Sequence, residues 1–204
     1  KLRQIISMWR RKKNKLNVEI KWENLFACDM PWKIVWSQIG CSFSSNKAKQ
    51  FQYKFLHNTI FTEHKLNLMK LSNGICTICK THRETLTHLV WECFFAKNIW
   101  NILKENLNEL FRYICIDDKD FKFAVFFGYH KDRRVNKLIN TVIFETKWEI
   151  WKYRNNCKYS NNYQSIKTFY KRLIRIIKDQ IKWLNTKNES QEMVQVIMTV
   201  SDNC

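Results

Sequence analysis

Three cysteines and a histidine in a metal-ligand spacing fall within eighteen residues that also hold His82: Cys76-Thr-Ile-Cys79, then His88, then Cys93, in the pattern C-x2-C-x8-H-x4-C. Thiolate sulfur and imidazole nitrogen are the donors that a borderline-soft divalent ion takes, and three sulfurs with one nitrogen make a tetrahedral zinc set. Two thiolates two residues apart sit on one tight turn and can face the same ion, and the imidazole and third thiolate then close the shell. With all four positions filled by protein, no place is left for a reactive water, so the pattern predicts a structural Zn2+ rather than a catalytic one. Gly74, just before the first cysteine, permits the turn. Two other readings compete with this one. The cysteines could be ordinary buried ones, or Cys76 and Cys79 a redox pair, although such a pair is expected in a βαβ setting that is missing here. His82, lying between the pairs, is the competing nitrogen ligand.

The elements that must hold these ligands are helical. The chain has 204 residues, three glycines and one proline, so the residues that punctuate hairpins and turns are scarce. Nine tryptophans and fourteen phenylalanines supply large apolar volumes to pack helices together. The expected fold class is mainly α: a helical assembly around a small CCHC zinc knuckle, with a short strand at 193–200 near the C-terminus.

The chain divides into five stretches. Residues 1–46 form a basic and aromatic helical segment that starts as an amphipathic helix and carries the block Arg10-Arg11-Lys12-Lys13. Within it Trp22, Phe26, Trp32 and Trp36 pack a helix or two on either side of Pro31, and Ser44, Ser45 or Asn46 caps the next helix. Residues 47–112 hold a helix over 47–71 with an interruption near Thr62, the knuckle at 76–93, and a long helix after it. Phe51, Phe55, Leu56 and Ile60 make the buried side of the first of these helices. His88 and Cys93 are five apart, about 140° around an ideal helix, so an unbroken helix cannot bring both to one ion. A short turn from Thr85 and a kink at Cys93 are therefore expected. Residues 113–134 read as a connector with a short apolar run at 123–127. Residues 135–187 are a basic helical segment with helices over 138–155 and 165–184, and 188–204 are a tail.

The charge balance is one-sided: 36 Lys+Arg against 18 Asp+Glu, a net +18. AT-rich coding, which also enriches Asn, Ile, Phe and Tyr, accounts for many lysines but not for the shortage of acids. An excess this large usually has a polyanion as its partner, nucleic acid before a membrane surface. The sharpest local form of this charge is in the last helix. Lys171, Arg175, Lys178 and Lys182 fall within roughly 40° of one line at 100° per residue. Phe169, Leu173, Ile176, Ile177 and Leu184 lie opposite, and no acids alternate with the bases. Lys47, Lys49, Lys54 and His57 could also reach phosphates, and Trp91 or Phe94 could stack on unpaired bases. No run approaches the eighteen apolar residues of a membrane span, and no signal peptide is visible. The chain starts with lysine, reads as a piece of something longer, and suits a reducing compartment, the cytosol or nucleus.

These landmarks, in order, resemble a known family. Phe51-Gln-Tyr-Lys-Phe-Leu-His57, Cys76-x-x-Cys79, Glu84-Thr85-x-x-His88-Leu89, Cys93 through Ile99-Trp100, Phe127-Gly128-Tyr129 and Lys147-Trp-Glu-Ile-Trp151-Lys-Tyr-Arg154-Asn155 are similar to the zinc-binding region C-terminal to LINE-type (non-LTR) retrotransposon reverse transcriptases. The resemblance covers most of residues 47–160 and thins towards both ends. It implies a module that holds element RNA, target DNA or both during target-primed reverse transcription, alongside the polymerase core of the parent polypeptide. It also implies a ribonucleoprotein particle in cytoplasm and nucleus, with no membrane. Carried over by position, Cys76, Cys79, His88 and Cys93 are the ligands, and Lys54, His57 and Arg154 are nucleic-acid contacts beside the basic helix.

The polymerase signature Tyr-x-Asp-Asp is absent, since Tyr113 stands four residues before Asp117-Asp118. This chain by itself is therefore expected not to be an enzyme, while its parent is an RNA-directed DNA polymerase. Some relatives carry a restriction-like nuclease after the knuckle, and Asp120-Phe-Lys122 has the D-x-K form of such a site. No acid on a preceding strand accompanies it, so a surface acid cluster is the preferred reading. The alternative function is a zinc-stabilised interaction module that docks on the polymerase core.

Overall fold

Side-chain oxygens start four of the helices. Ser45, Thr62, Asp117 and Ser165 each accept the backbone N–H three residues on, from Ala48, Lys65, Asp120 and Thr168, satisfying donors that a helix N-terminus leaves without partners. The computed structural model describes residues 15–107, 117–132, 135–182 and 197–198. Its helices are α1 (Asn17–Phe26), α2 (Trp32–Gln38), α3 (Asn46–Leu56), α4 (Glu63–Leu68), α5 (Phe94–Asn106), α6 (Asp118–Phe127), α7 (Asn136–Ser160) and α8 (Ile166–Ile181), with a π turn at His88–Glu92 between α4 and α5. The protein is mainly α, and among the described residues it has no strand. A single antiparallel bridge, Ile75 to Arg83, closes the knuckle loop. The strand expected over 193–200 falls mostly outside the described residues, and Ile197 and Met198 are helical.

α7 is the axis of the molecule. It packs against α3, α6, α8 and the π turn, while α8 also rests on α5. One continuous core runs from Trp22 on α1 through Phe55, Leu89, Trp100, Phe126 and Ile143 to Ile177 on α8. α1 and α2 flank Pro31 as expected. Trp22 stacks on Phe55 with centroids 5.4 Å apart and meets Phe126 and Phe127 edge-on.

One expectation about elements is met and two are corrected. The helix over 47–71 is interrupted near Thr62: α3 ends at Leu56, Asn58 takes a left-handed conformation (φ 51°) and Thr62 caps a new start. The connector at 113–134 contains α6, whose Phe121, Ala124, Val125, Phe126 and Phe127 are all buried. Its charged residues lie in the first half, and the continuous apolar run at 123–127 that follows has no amphipathic period to reveal a helix. The helix expected over 138–155 runs from Asn136 to Ser160 and ends where Asn161 turns left-handed (φ 47°). Gly128 ends α6 with φ +89°, and a Cβ there would meet Gln38 Cβ at 2.8 Å. Only glycine fits both demands. The amphipathic start at 1–14, with its basic block, lies outside the described residues, as does Leu184.

Candidate metal centre

Gly74 opens the knuckle with φ +79°, as its place before the cysteines predicts. The loop then folds back on itself: Cys76 N–H donates to the His82 carbonyl at 2.7 Å and Glu84 N–H to the Gly74 carbonyl at 2.9 Å. Lys80 N–H donates to the Cys76 carbonyl at 2.9 Å, with Lys80 itself left-handed, which makes the tight Cys-x-x-Cys turn. On the other side Thr85 Oγ1 accepts the His88 amide at 3.0 Å and starts a short helical turn.

The five-residue gap between His88 and Cys93 is met by a π turn. The Cys93 amide donates to the His88 carbonyl at 2.7 Å, an i to i+5 bond. That wider turn brings residues five apart towards one face, which an α-helix does not do. Cys93 then breaks the helix with ψ 134°, and α5 starts at Phe94. The interruption expected at the last ligand is therefore present, in a rare geometry that suits the H-x4-C spacing.

The donor atoms of Cys76, Cys79, His88 and Cys93 all lie within 4.8 Å of one another. Cys76 and Cys93 sulfurs are 4.0 Å apart, and Cys79 sulfur is 3.4 Å from His88 Nε2. Zinc bonds of about 2.3 Å to sulfur and about 2.0 Å to nitrogen, set tetrahedrally, need edges of about 3.5–3.8 Å. The two close pairs are thus within a few tenths of an ångström of zinc-tetrahedron edges, and no donor pair exceeds such an edge by more than about 1 Å. His82 is exposed, shares its Nδ1 with Thr81 Oγ1 at 2.7 Å and stacks on His88 from outside at 5.6 Å between centroids. It is not part of the set.

The electrostatics of the cluster ask for a cation. Burial pushes the Cys79 thiol up, but the Thr81 hydroxyl and the Thr81 and His82 amides outweigh it, and its pKa falls to about 5. Its hydrogen bond to Cys93, helped by burial, pushes the Cys76 thiol far up, while that same bond lowers Cys93. Burial lowers the His88 pKa, but the adjacent Cys76 and Cys79 sulfurs outweigh it and leave it raised. Three sulfurs this close cannot all become thiolates unless a positive ion sits among them. The residues fit zinc in number, type and spacing. Cys76, Cys79, His88 and Cys93 would hold it, and it would neutralise their shared charge.

A family model described as zinc-binding in reverse transcriptase matches residues 4–100. That stretch is similar to a reverse-transcriptase zinc-binding region. The match covers just under half of the chain and contains all four ligands, while α6, α7 and α8 lie beyond it. No curated protein and no solved structure matches the chain.

The zinc-binding region is clamped to α7 by a buried ion-pair network that the sequence did not announce. Glu84, 0% exposed, sits between the Cys-x-x-Cys turn and His88. One of its oxygens accepts the Glu63 amide at 2.9 Å and Arg154 Nε at 3.0 Å, and the other accepts the Thr77 amide inside the knuckle at 3.1 Å. Arg154 also pairs with Glu63, which Lys158 reaches at 2.5 Å. Burial raises the Glu63 pKa, but Lys158 and Arg154 outweigh it and hold the carboxyl below its ordinary value. Arg154 is 1% exposed. Its reading as a nucleic-acid contact is therefore corrected: its guanidinium is taken up by Glu63 and Glu84 and does not face solvent. The one signal that could have found this is the scarcity of acids, since Glu63 and Glu84 are two of only 18.

The other expected contacts lie on the surface or near it. Lys54 is exposed on α3. His57 is half-buried, with its ring 4.3 Å from Tyr53 and 4.8 Å from Trp36 between centroids. On α8 the buried side is Phe169, Tyr170, Leu173, Ile174, Ile177 and Ile181, with Ile176 at its edge. Arg175 and Lys182 are exposed, Lys171 and Lys178 half-buried, and Asp179 is exposed at the flank of the stripe. Phe94 is 71% exposed beside Cys93, whereas Trp91 packs on Phe121. The D-x-K acids start α6 rather than end a strand. Asp117 caps the helix, Asp118 pairs with Lys104, Asp120 with Lys131, and Lys122 lies over Phe26.

Proposed function

We propose that the chain is the nucleic-acid-holding module of a LINE-type (non-LTR) retrotransposon reverse transcriptase, set C-terminal to the polymerase in the parent polypeptide. It keeps element RNA, target DNA or both in place for target-primed reverse transcription, within a ribonucleoprotein that visits cytoplasm and nucleus. Polymerisation belongs to the parent's core and not to this chain. The ion is a structural Zn2+. It holds the knuckle shut, and the knuckle, through Glu84 and Arg154, holds α7 and hence α8 in a constant orientation.

The observation that carries this reading is the cationic side of α8, formed by Lys171, Arg175, Lys178 and Lys182, in a chain of net +18 that also matches a reverse-transcriptase zinc-binding region. Cations set along one helix contact phosphates, and the counterions they release make binding fall steeply with salt. The test is binding of the zinc-loaded chain to RNA and DNA from low to high salt. Affinity that drops by orders of magnitude supports the reading, and weak binding with no salt slope removes it.

One observation favours a second reading, docking on the polymerase core. No described helix is long and apolar enough to cross a membrane, yet Leu68, Met69 and Leu71 lie exposed beside the knuckle. Contiguous exposed apolar side chains mark interaction surfaces. Loss of docking in Leu68→Asp/Leu71→Asp, with nucleic-acid binding intact, would assign this face to the core.

A further inference from the structure

Of the nine tryptophans, all but Trp9 and Trp183 lie among the described residues. Trp22, Trp32, Trp36 and Trp100 each donate the indole N–H to a protein oxygen at 2.7–2.9 Å. Trp91, Trp148 and Trp151 have no such partner among the described residues. Buried indoles normally find an acceptor, so an unpaired one at the surface is available to something else.

Two of these three share one groove. Trp148 and Trp151, neighbours on α7, line a groove of about 490 Å³ together with Phe61, a residue 55% exposed. Phe51 supports both indoles from beneath, with centroids 5.9 Å away in each case. Lys47 and Lys54 line the groove from α3, and no carboxylate does. The two lysines are seven residues apart, about 10.5 Å along the helix axis, so they place two positive charges along one edge. The buried ion-pair network lies behind Trp151, with the Arg154 guanidinium carbon 5.0 Å from its ring.

We propose that this groove binds unpaired nucleotides. This rests on the nucleic-acid reading above and narrows it to a single-stranded segment. A base offers a flat π-face to Phe61 and the indoles, and acceptors at its edge to the free N–H groups. The phosphates on either side of it meet Lys47 and Lys54. A duplex keeps its bases stacked inside and cannot use the aromatic wall, and an aromatic wall with flanking cations is how single strands are held without sequence preference. An acidic peptide would satisfy the lysines and leave the aromatic faces and indole donors without a matching group.

The test uses the zinc-loaded chain, labelled rU12 and dT12, and a duplex of the same length. Single strands should quench tryptophan fluorescence. Phe61→Ala should weaken their binding roughly tenfold, the order of one base stack, and change duplex binding less than about twofold. Phe61 is largely exposed, so its truncation leaves the core intact, and thermal melts check this. Lys47→Glu/Lys54→Glu, a second and independent variant, should weaken single-strand binding and flatten its salt slope. An effect on rU12, on dT12 or on both supports the groove and identifies the polymer. Wild-type affinity of both variants for both single strands overturns it and leaves the face to a protein partner. If Lys171→Glu/Arg175→Glu still weakens binding in that case, the broader reading survives. If the wild type binds no nucleic acid, both fall.

Discussion

Along α7 the ionisable side chains of Glu145, Lys147, Glu149 and Arg154 are all buried, whereas along α8 Arg175 and Lys182 are exposed and Lys171 half-exposed. Both helices read as basic in the sequence, yet α7 buries most of its central charges while α8 keeps its bases on an open side. The difference is position. α7 is enclosed by α3, α6, α8 and the knuckle, so each buried charge on it is matched by a dedicated partner, and only groups such as Lys137 and Lys152 reach solvent. Glu145 accepts the Ser45 amide at 2.6 Å, and Glu149 pairs with Lys152. Lys147, fully buried with its pKa pushed well down by desolvation, donates to Gln52 Oε1 at 2.6 Å and to the Val125 carbonyl at 2.8 Å. That carbonyl lies in the last turn of α6, where the helix dipole favours a positive group. α8 has one packed side and one open side, and Arg175 and Lys182 of its stripe stand on the open one. Buried charges here build the fold, and exposed ones set the charge of the surface.

Removing the metal should break this division most severely. Small zinc sites contribute on the order of 10 kcal/mol to the structure around them. Chelation or Cys93→Ser is expected to unfold 72–95, release Glu84 and leave Arg154 buried without its full set of partners. Hydrogen exchange should show reduced protection from the knuckle into α7. Unchanged exchange and circular dichroism after complete zinc removal would refute a structural ion.

A smaller break comes from Arg154→Met. Taking one partner from a buried ion pair leaves the others uncompensated and costs about 3–5 kcal/mol. The expected result is a large fall in urea midpoint, with the salt slope of nucleic-acid binding unchanged in the folded fraction. Adding Glu84→Gln should recover part of the loss. A shallower salt slope with normal stability would return Arg154 to the nucleic-acid contacts.

The mildest effect on folding should come from Lys171→Glu/Arg175→Glu. Stability should stay within about 0.5 kcal/mol, as for exposed sites generally. The salt slope should fall by about one for each phosphate that the helix no longer holds. Destabilisation without a change in binding would erase the contrast between the two helices.

The ligand set was legible because its chemistry is local. The H-x4-C spacing rules out an unbroken α-helix at once, and the π turn with an extended Cys93 is one of few ways to satisfy it. α6 was illegible for the opposite reason: the apolar run from Phe123 to Phe127 is uninterrupted, and four of its five residues are buried, so it carries no periodic contrast. Arg154 was misread because a basic residue after two tryptophans looks the same in sequence whether it faces water or Glu63 and Glu84. Trp148 and Trp151 could not be told from core tryptophans until the hydrogen-bond partners of the indoles were laid side by side.

Residue types and short spacings determined the candidate metal donors, the helical class, the cap at Ser45 and the amphipathic run of α8, because each depends on atoms a few residues apart. Tertiary structure alone decided which charges are interior, that Glu84 joins the knuckle to α7 across 70 residues, and that Phe61 meets Trp148 and Trp151 across one groove. Those outcomes depend on which surfaces the packing of α7 covers, and no local pattern records that.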